Sequence, residues 1–175
     1  MDITPDTKDW TWVLQRPCPE CGFDSRAPSP GDVAPMLRDN SLRWVDVLDR
    51  RDVTTRPAPD VWSPLEYACH VRDVFVLFDE RLLLMLDQDD PVFASWDQDA
   101  TAVADRYGEQ DPALVARDLR AAAERLAGDF DRLSDGHWSR TGRRSDGAAF
   151  TVESFARYLV HDVVHHMYDV TGREG

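Results

Sequence analysis

At 175 residues and 19.9 kDa, with 42% hydrophobic and 30% charged residues, the chain has the composition of one globular domain, which excludes disorder, collagen and a disulfide scaffold. Twenty basic residues against 33 acidic ones leave a net charge of −13, which repels phosphate backbones and anionic headgroups and argues against nucleic acid or a membrane as partner. Three cysteines, Cys18, Cys21 and Cys69, and no charged-then-apolar leader between Met1 and Trp12 predict a reducing, cytoplasmic setting, and no apolar run approaches the roughly 20 residues that span a bilayer.

Residues 1–30 carry Pro5, Pro17, Pro19, Pro28 and Pro30, which rule out a long helix or a central strand and predict an irregular arm lying on a domain of residues 31–175. From about Asp32 to Arg51, Val33, Leu37, Leu42, Trp44, Val45 and Leu48 recur at helical spacing. Ser63-Pro-Leu-Glu66 supplies a cap, a proline at the first helical position and a glutamate three residues after the cap, so a second helix should run from Pro64 to about Asp87. Asp111-Pro112 opens a third, with the stripe Leu114, Val115, Leu119, Ala122, Leu126, Phe130 and Leu133 ending near Ser134. Between Trp138 and Phe150 a turn-rich segment centred on Asp146-Gly147 suits a tight hairpin. Thr151 can cap a fourth helix from Val152 to about Thr171, with Gly172 placed to end it in the left-handed conformation. The expected fold is all-α, a four-helix bundle with a short hairpin-like insertion before the last helix.

Chemistry concentrates in His70, on the second helix, and in His161-Asp-Val-Val-His-His166, on the fourth. At about 100° per residue, His70 falls beside Tyr67, Val74, Leu77, Arg81 and Met85 in the apolar sector. On the fourth helix Val152, Ala156, Leu159, Val163, Met167 and Val170 mark the core direction. Asp162 and His166 flank that stripe, whereas His161 and His165 project nearly opposite, with Ser154, Arg157 and Tyr168. Side chains four apart on a helix sit about 5–6 Å apart at Cβ, close enough for a carboxylate and an imidazole to share one ion with a third ligand from a facing helix. His70, Asp162 and His166 are therefore the expected metal ligands, with water or substrate in the remaining positions. A satisfied core histidine and a polar helix face are the bland alternatives.

At these residues the chain resembles the DinB-like superfamily, in particular the metal-binding domain of mycothiol-dependent maleylpyruvate isomerases. Val61-Trp-Ser-Pro-Leu-Glu-Tyr-Ala-Cys-His-Val71 is similar to that family's tryptophan, helix cap and histidine at the start of helix two. Asp162-Val-Val-His-His166-Met-Tyr-Asp169 is similar to its last-helix pattern. The resemblance spans roughly Asp32 to Gly172 and implies His70, Asp162 and His166 as ligands, although the family more often has glutamate or histidine where Asp162 stands. Other members use a histidine pair four apart, which makes His161 and His165 the alternative set. The resemblance further implies a divalent metal, zinc first with nickel or manganese as alternatives, and a low-molecular-weight thiol such as mycothiol activated as a thiolate beside a catalytic His70. Maleylpyruvate itself is not implied, since the chain is too short for the further domain of those isomerases.

The expected partner is thus a small electrophilic molecule, and a homodimer is compatible with such bundles although no heptad seam or apolar patch demands it. A thiol transferase or isomerase is the leading expectation; a non-enzymatic metal- or ligand-binding stress protein and a purely structural interaction domain are the competitors. Tyr67 and Arg81 are candidate cofactor-binding residues, and Asp169 can orient a ligand histidine. Arg140, Arg143 and Arg144 could meet carboxylates of a thiol cofactor, against the alternative of a solvated charge cluster. Cys18-Pro-Glu-Cys21 has zinc-ribbon spacing but lacks a second pair nearby in sequence, which favours a structural turn. Cys69 is expected to pack as a small hydrophobe.

Overall fold

The computed structural model describes residues 10–172; Met1 to Asp9 of the expected arm and residues 173–175 lie outside that range. The helices are α1 (Pro30–Leu48), α2 (Pro64–Asp87), the short α3 (Gln98–Ala104), α4 (Pro112–Asp131) and α5 (Val152–Thr171). Three short strands, β1 (Val92–Phe93), β2 (Thr141–Arg144) and β3 (Ala149–Thr151), form one small sheet.

Caps explain where the helices begin. In α2 the amide of Ser63 donates to Glu66 Oε2 at 2.8 Å while Glu66's amide donates back to Ser63 Oγ, with Pro64 at the first helical position. Asp111 Oδ1 accepts from the amides of Ala113 and Leu114 in α4, and Thr151 Oγ1 accepts from Ser154 in α5, whose C-terminal Gly172 adopts φ +63°. α1 starts two residues before the spacing predicts, because Ser29 caps it and donates to Asp32 through both amide and hydroxyl. α1 stops at Leu48 and α4 at Asp131, each about a turn short of the expected ends near Arg51 and Ser134.

The buried face of α1 also differs from expectation. Leu42 is 52% exposed and Val45 faces solvent too, whereas Asn40 and Ser41 are buried. Asn40 earns its place by hydrogen bonding: its Nδ2 donates to the Val163 carbonyl of α5 at 2.9 Å and its Oδ1 accepts from Trp44 Nε1 at 3.2 Å. Two polar residues therefore occupy core positions that a hydrophobic stripe could not reveal. Leu114 of α4 is likewise exposed, while the rest of that stripe up to Phe130 is buried.

α4 packs against both α1 and α2, and α5 packs against the same two helices. The bundle therefore runs α1, α4, α2, α5 around its core, which places α5 beside α2 and lets His70 face the histidine-rich helix. Phe78 of α2 stacks on Phe155 of α5 with centroids 4.5 Å apart. At one end β2 and β3 form the expected antiparallel hairpin, turning at Gly147 with φ +97°, and β1 joins β2 in parallel. β1 and α3 lie in a stretch where no periodicity announced an element: one is two residues long, and none of α3's residues is buried.

The described part of the arm is a 3-10 turn, Trp10–Leu14, followed by tight turns, and it lies along α5. Among the described residues, no helix is long and apolar enough to cross a membrane.

Candidate metal centre

His70 is 1% exposed, in the second turn of α2, and its Nδ1 is buried with no hydrogen-bond partner. Its ring is held by aromatic neighbours, stacked on Trp96 at 5.4 Å and 10° and tilted against Trp62 at 5.2 Å. Burial, with a smaller contribution from nearby His166, drives its pKa well below the ordinary histidine value. The imidazole is therefore neutral at physiological pH and keeps a lone pair to offer.

The His166 ring stands edge-on to His70, centroids 4.7 Å apart, and Tyr67 packs on its other side at 5.4 Å. Asp169, one turn on, meets His166 Nδ1 at 3.0 Å, while Nε2 faces Asp162 Oδ2 at 3.9 Å. A carboxylate on one ring nitrogen fixes the tautomer and orientation so that the other nitrogen becomes the ligand atom. One donor atom each from His70, Asp162 and His166 lies within 4.8 Å of the others. Two neutral imidazoles and one carboxylate fit a divalent ion, and they leave the assembled centre with a net charge of +1, which favours an anionic further ligand.

Two cavities meet at this trio. One, of 340 Å³, is lined by His70, Phe78, Arg81, Trp96, Arg144 and Asp162 among others; a second, of 240 Å³, is lined by Trp10, Tyr67, Asp162, His165 and His166 among others. Asp162 borders both. Arg81 is buried, donates to the Ala94 carbonyl at 3.0 Å and lies over the Phe93 ring. Arg144, paired with Asp146, reaches the same wall. The larger cavity thus joins aromatic surface to two guanidinium groups, with the carboxylates of Asp146 and Asp162 on the same lining.

The predicted arginine cluster does not act as a unit. Arg140 caps the end of α2 through the carbonyls of Met85 and Gln88, and Arg143 pairs with Asp90 at 2.9 Å, so only Arg144 faces the cavity. Tyr67 and Arg81 also part company, one beside each cavity. Trp96 was not anticipated, because it sits between β1 and α3 where only its own aromatic character could have drawn notice.

His161 and His165 show what the helical projection leaves open. They face away from His70, as their spacing predicts, yet they are only 3% and 7% exposed. The arm covers them: Trp10 packs on both rings, with centroids 5.8 and 5.0 Å away, and Cys18 Sγ lies 3.7 Å from His165 Nδ1. Burial lowers the His161 pKa to about 3 and also lowers that of His165. This pair joins Cys18 and Cys21, not His70. Cys69 is buried in the core as expected, its thiol pushed up to about 12 by desolvation.

The family model of the DinB superfamily matches residues 36–170. The chain belongs to the DinB superfamily. Its fold matches that of YfiT from Bacillus subtilis, described as a probable metal-dependent hydrolase with an unusual four-helix bundle topology, at TM-score 0.70 and 17% identity over 98% of this chain and 91% of that one. It also matches a mycothiol-dependent maleylpyruvate isomerase at TM-score 0.64 and 10% identity, over 84% of this chain and 62% of the isomerase. No curated protein matches the chain in sequence. At these identities the two structures establish the DinB-like four-helix bundle; residue roles in this member rest on its own geometry.

Proposed function

We propose that this DinB-superfamily protein is a metal-dependent enzyme that brings a low-molecular-weight thiol, of which mycothiol is the first candidate, to a small electrophilic substrate. The observation that carries the reading is the buried, unpartnered Nδ1 of His70 lying with Asp162 and His166 where two cavities meet. A divalent ion held by these residues, zinc being the best match to a nitrogen-rich set with open positions, would supply Lewis acidity that lowers the pKa of a bound thiol or water.

The chain's own residues supply the rest. Burial keeps His70 neutral, and Asp169 orients His166 for donation. Trp62 and Trp96 exclude water around His70, which strengthens every charge interaction inside. Arg81 and Arg144 suit a carboxylate on the substrate or on the thiol. Two cavities separated by Asp162 offer one compartment for each reactant, an arrangement that favours a two-substrate transfer over simple hydrolysis.

The test is consumption of an electrophilic reporter such as monochlorobimane by zinc-loaded protein with and without mycothiol. Thiol-dependent turnover that disappears in His70→Ala is the expected result. Turnover without added thiol makes water the nucleophile, and stoichiometric metal with no turnover under any thiol makes the protein a binder.

A further inference from the structure

We propose that Cys18, Cys21, His161 and His165 form a second, structural zinc centre that clips the N-terminal arm onto α5. The sequence shows Cys-Pro-Glu-Cys with the right spacing but no second pair nearby; the fold delivers that pair from a helix at least 140 positions away. One donor atom from each of the four residues lies within 4.8 Å of the others. All four side chains are buried, both cysteines to 1% exposure.

Local geometry prepares each half. The amide of Gly22 donates to the Cys18 carbonyl at 2.9 Å, Cys18's amide donates to Phe23, and Gly22 turns the chain at φ +77°, so both sulfurs leave the same side of the turn. On α5 the two histidines are one turn apart, with ring centroids at 5.3 Å. The Cys18 Sγ to His165 Nδ1 separation of 3.7 Å is close to the edge of about 3.6 Å expected between sulfur and nitrogen around tetrahedral zinc. His165's other nitrogen faces Glu20 and Asp169 at 3.6 and 3.7 Å, the outer carboxylates that orient metal-bound imidazoles.

His161 points to a ligand independently of the cysteines. Its Nε2 is buried and has no hydrogen-bond partner. A disulfide between Cys18 and Cys21 would leave that nitrogen unpartnered, whereas an ion bound by all four residues satisfies it. On binding, the two thiols release their protons to water, and two thiolates balance the dication with two neutral imidazoles. The result is a neutral, closed S2N2 set of the kind zinc occupies, in contrast to the net positive, open trio of His70, Asp162 and His166. Around the cluster, Val13 is buried, Leu14 and Phe23 are partly buried against the core, and Trp10 packs on the two histidine rings.

Cobalt titration of reduced, metal-free protein tests this. Wild type should take up about two ions per chain, one giving the intense visible bands and near-ultraviolet thiolate charge transfer of tetrahedral S2N2 coordination. Cys18→Ser/Cys21→Ser and, separately, His161→Ala/His165→Ala should each lose that signature and about one ion, whereas His70→Ala/His166→Ala should keep the signature and lose the other ion. Reduced wild type lacking a thiolate band, or a band unchanged in His161→Ala/His165→Ala, overturns the proposal. The wild-type spectrum and the His70→Ala/His166→Ala variant decide the matter even if variants of the arm site do not fold.

Discussion

Replacing His70 by leucine should stabilise the metal-free protein while destroying its response to metal. The buried, unpartnered Nδ1 carries a desolvation penalty of about 1–3 kcal/mol, which an apolar side chain relieves. Against that stands the loss of ring contacts to Trp96 and Trp62, worth roughly 0.5–1.5 kcal/mol. The net gain is about 1 kcal/mol, or roughly 2–4 °C in Tm for a chain of this length. With zinc buffered at about a hundred times the wild-type Kd, wild type gains about 2.7 kcal/mol through this centre and the variant gains none. The order of stability should therefore reverse between chelator and zinc in paired thermal melts. Any contribution from the cysteine–histidine cluster is common to both proteins and cancels. A variant that melts below wild type in chelator, by the same margin as in zinc, would show that His70 is an ordinary core residue and refute the reasoning.

Asp169→Asn removes the carboxylate that meets His166 at 3.0 Å and should weaken metal binding at the His70 centre by roughly 10–100-fold, read by chelator competition; unchanged affinity would mean that Asp169 does not orient His166 for binding. Gly142→Ala places a Cβ 2.6 Å from Phe93 Cζ and 2.9 Å from Met85 Cγ, both side chains being fully buried, so it should cost about 1–3 kcal/mol in urea unfolding, and a neutral result would show that β1 can shift freely. Glu66 is pushed up by burial, but bonds from the Arg56 guanidinium and from Ser63 together outweigh this and hold its carboxyl below its ordinary 4.5. A depressed folded pKa contributes stability that is full above the unfolded value and fades as pH falls through the folded one. Glu66→Gln should therefore flatten the acid limb of the stability profile below about pH 5, and a limb identical to wild type would contradict the assignment.

Much of the bundle was legible because its signals are local. Ser63-Pro-Leu-Glu66, Asp111-Pro112, Thr151 and Gly172 set helix ends through bonds spanning no more than four residues, so the chain carries them wherever it goes. Helical spacing alone also placed Asp162 and His166 on one flank of α5 and pointed His70 inward, since 3.6 residues per turn is a property of the backbone. What a face packs against is not local. Leu42 and Val45 lie open to solvent while Asn40 is buried, because the Val163 carbonyl of α5 supplies a partner that no neighbour in sequence announces. Trp96 stacks on His70 from the segment just after β1, which itself pairs with β2 some fifty residues further along the chain. His161 and His165 were correctly set on the opposite side from His70, but whether that side meets water or an arm carrying Cys18 and Cys21 depends on a contact spanning 147 positions. Spacing determined which side chains share a direction; tertiary structure decided what waits there, and so gave the paired cysteines the partners they lack in sequence.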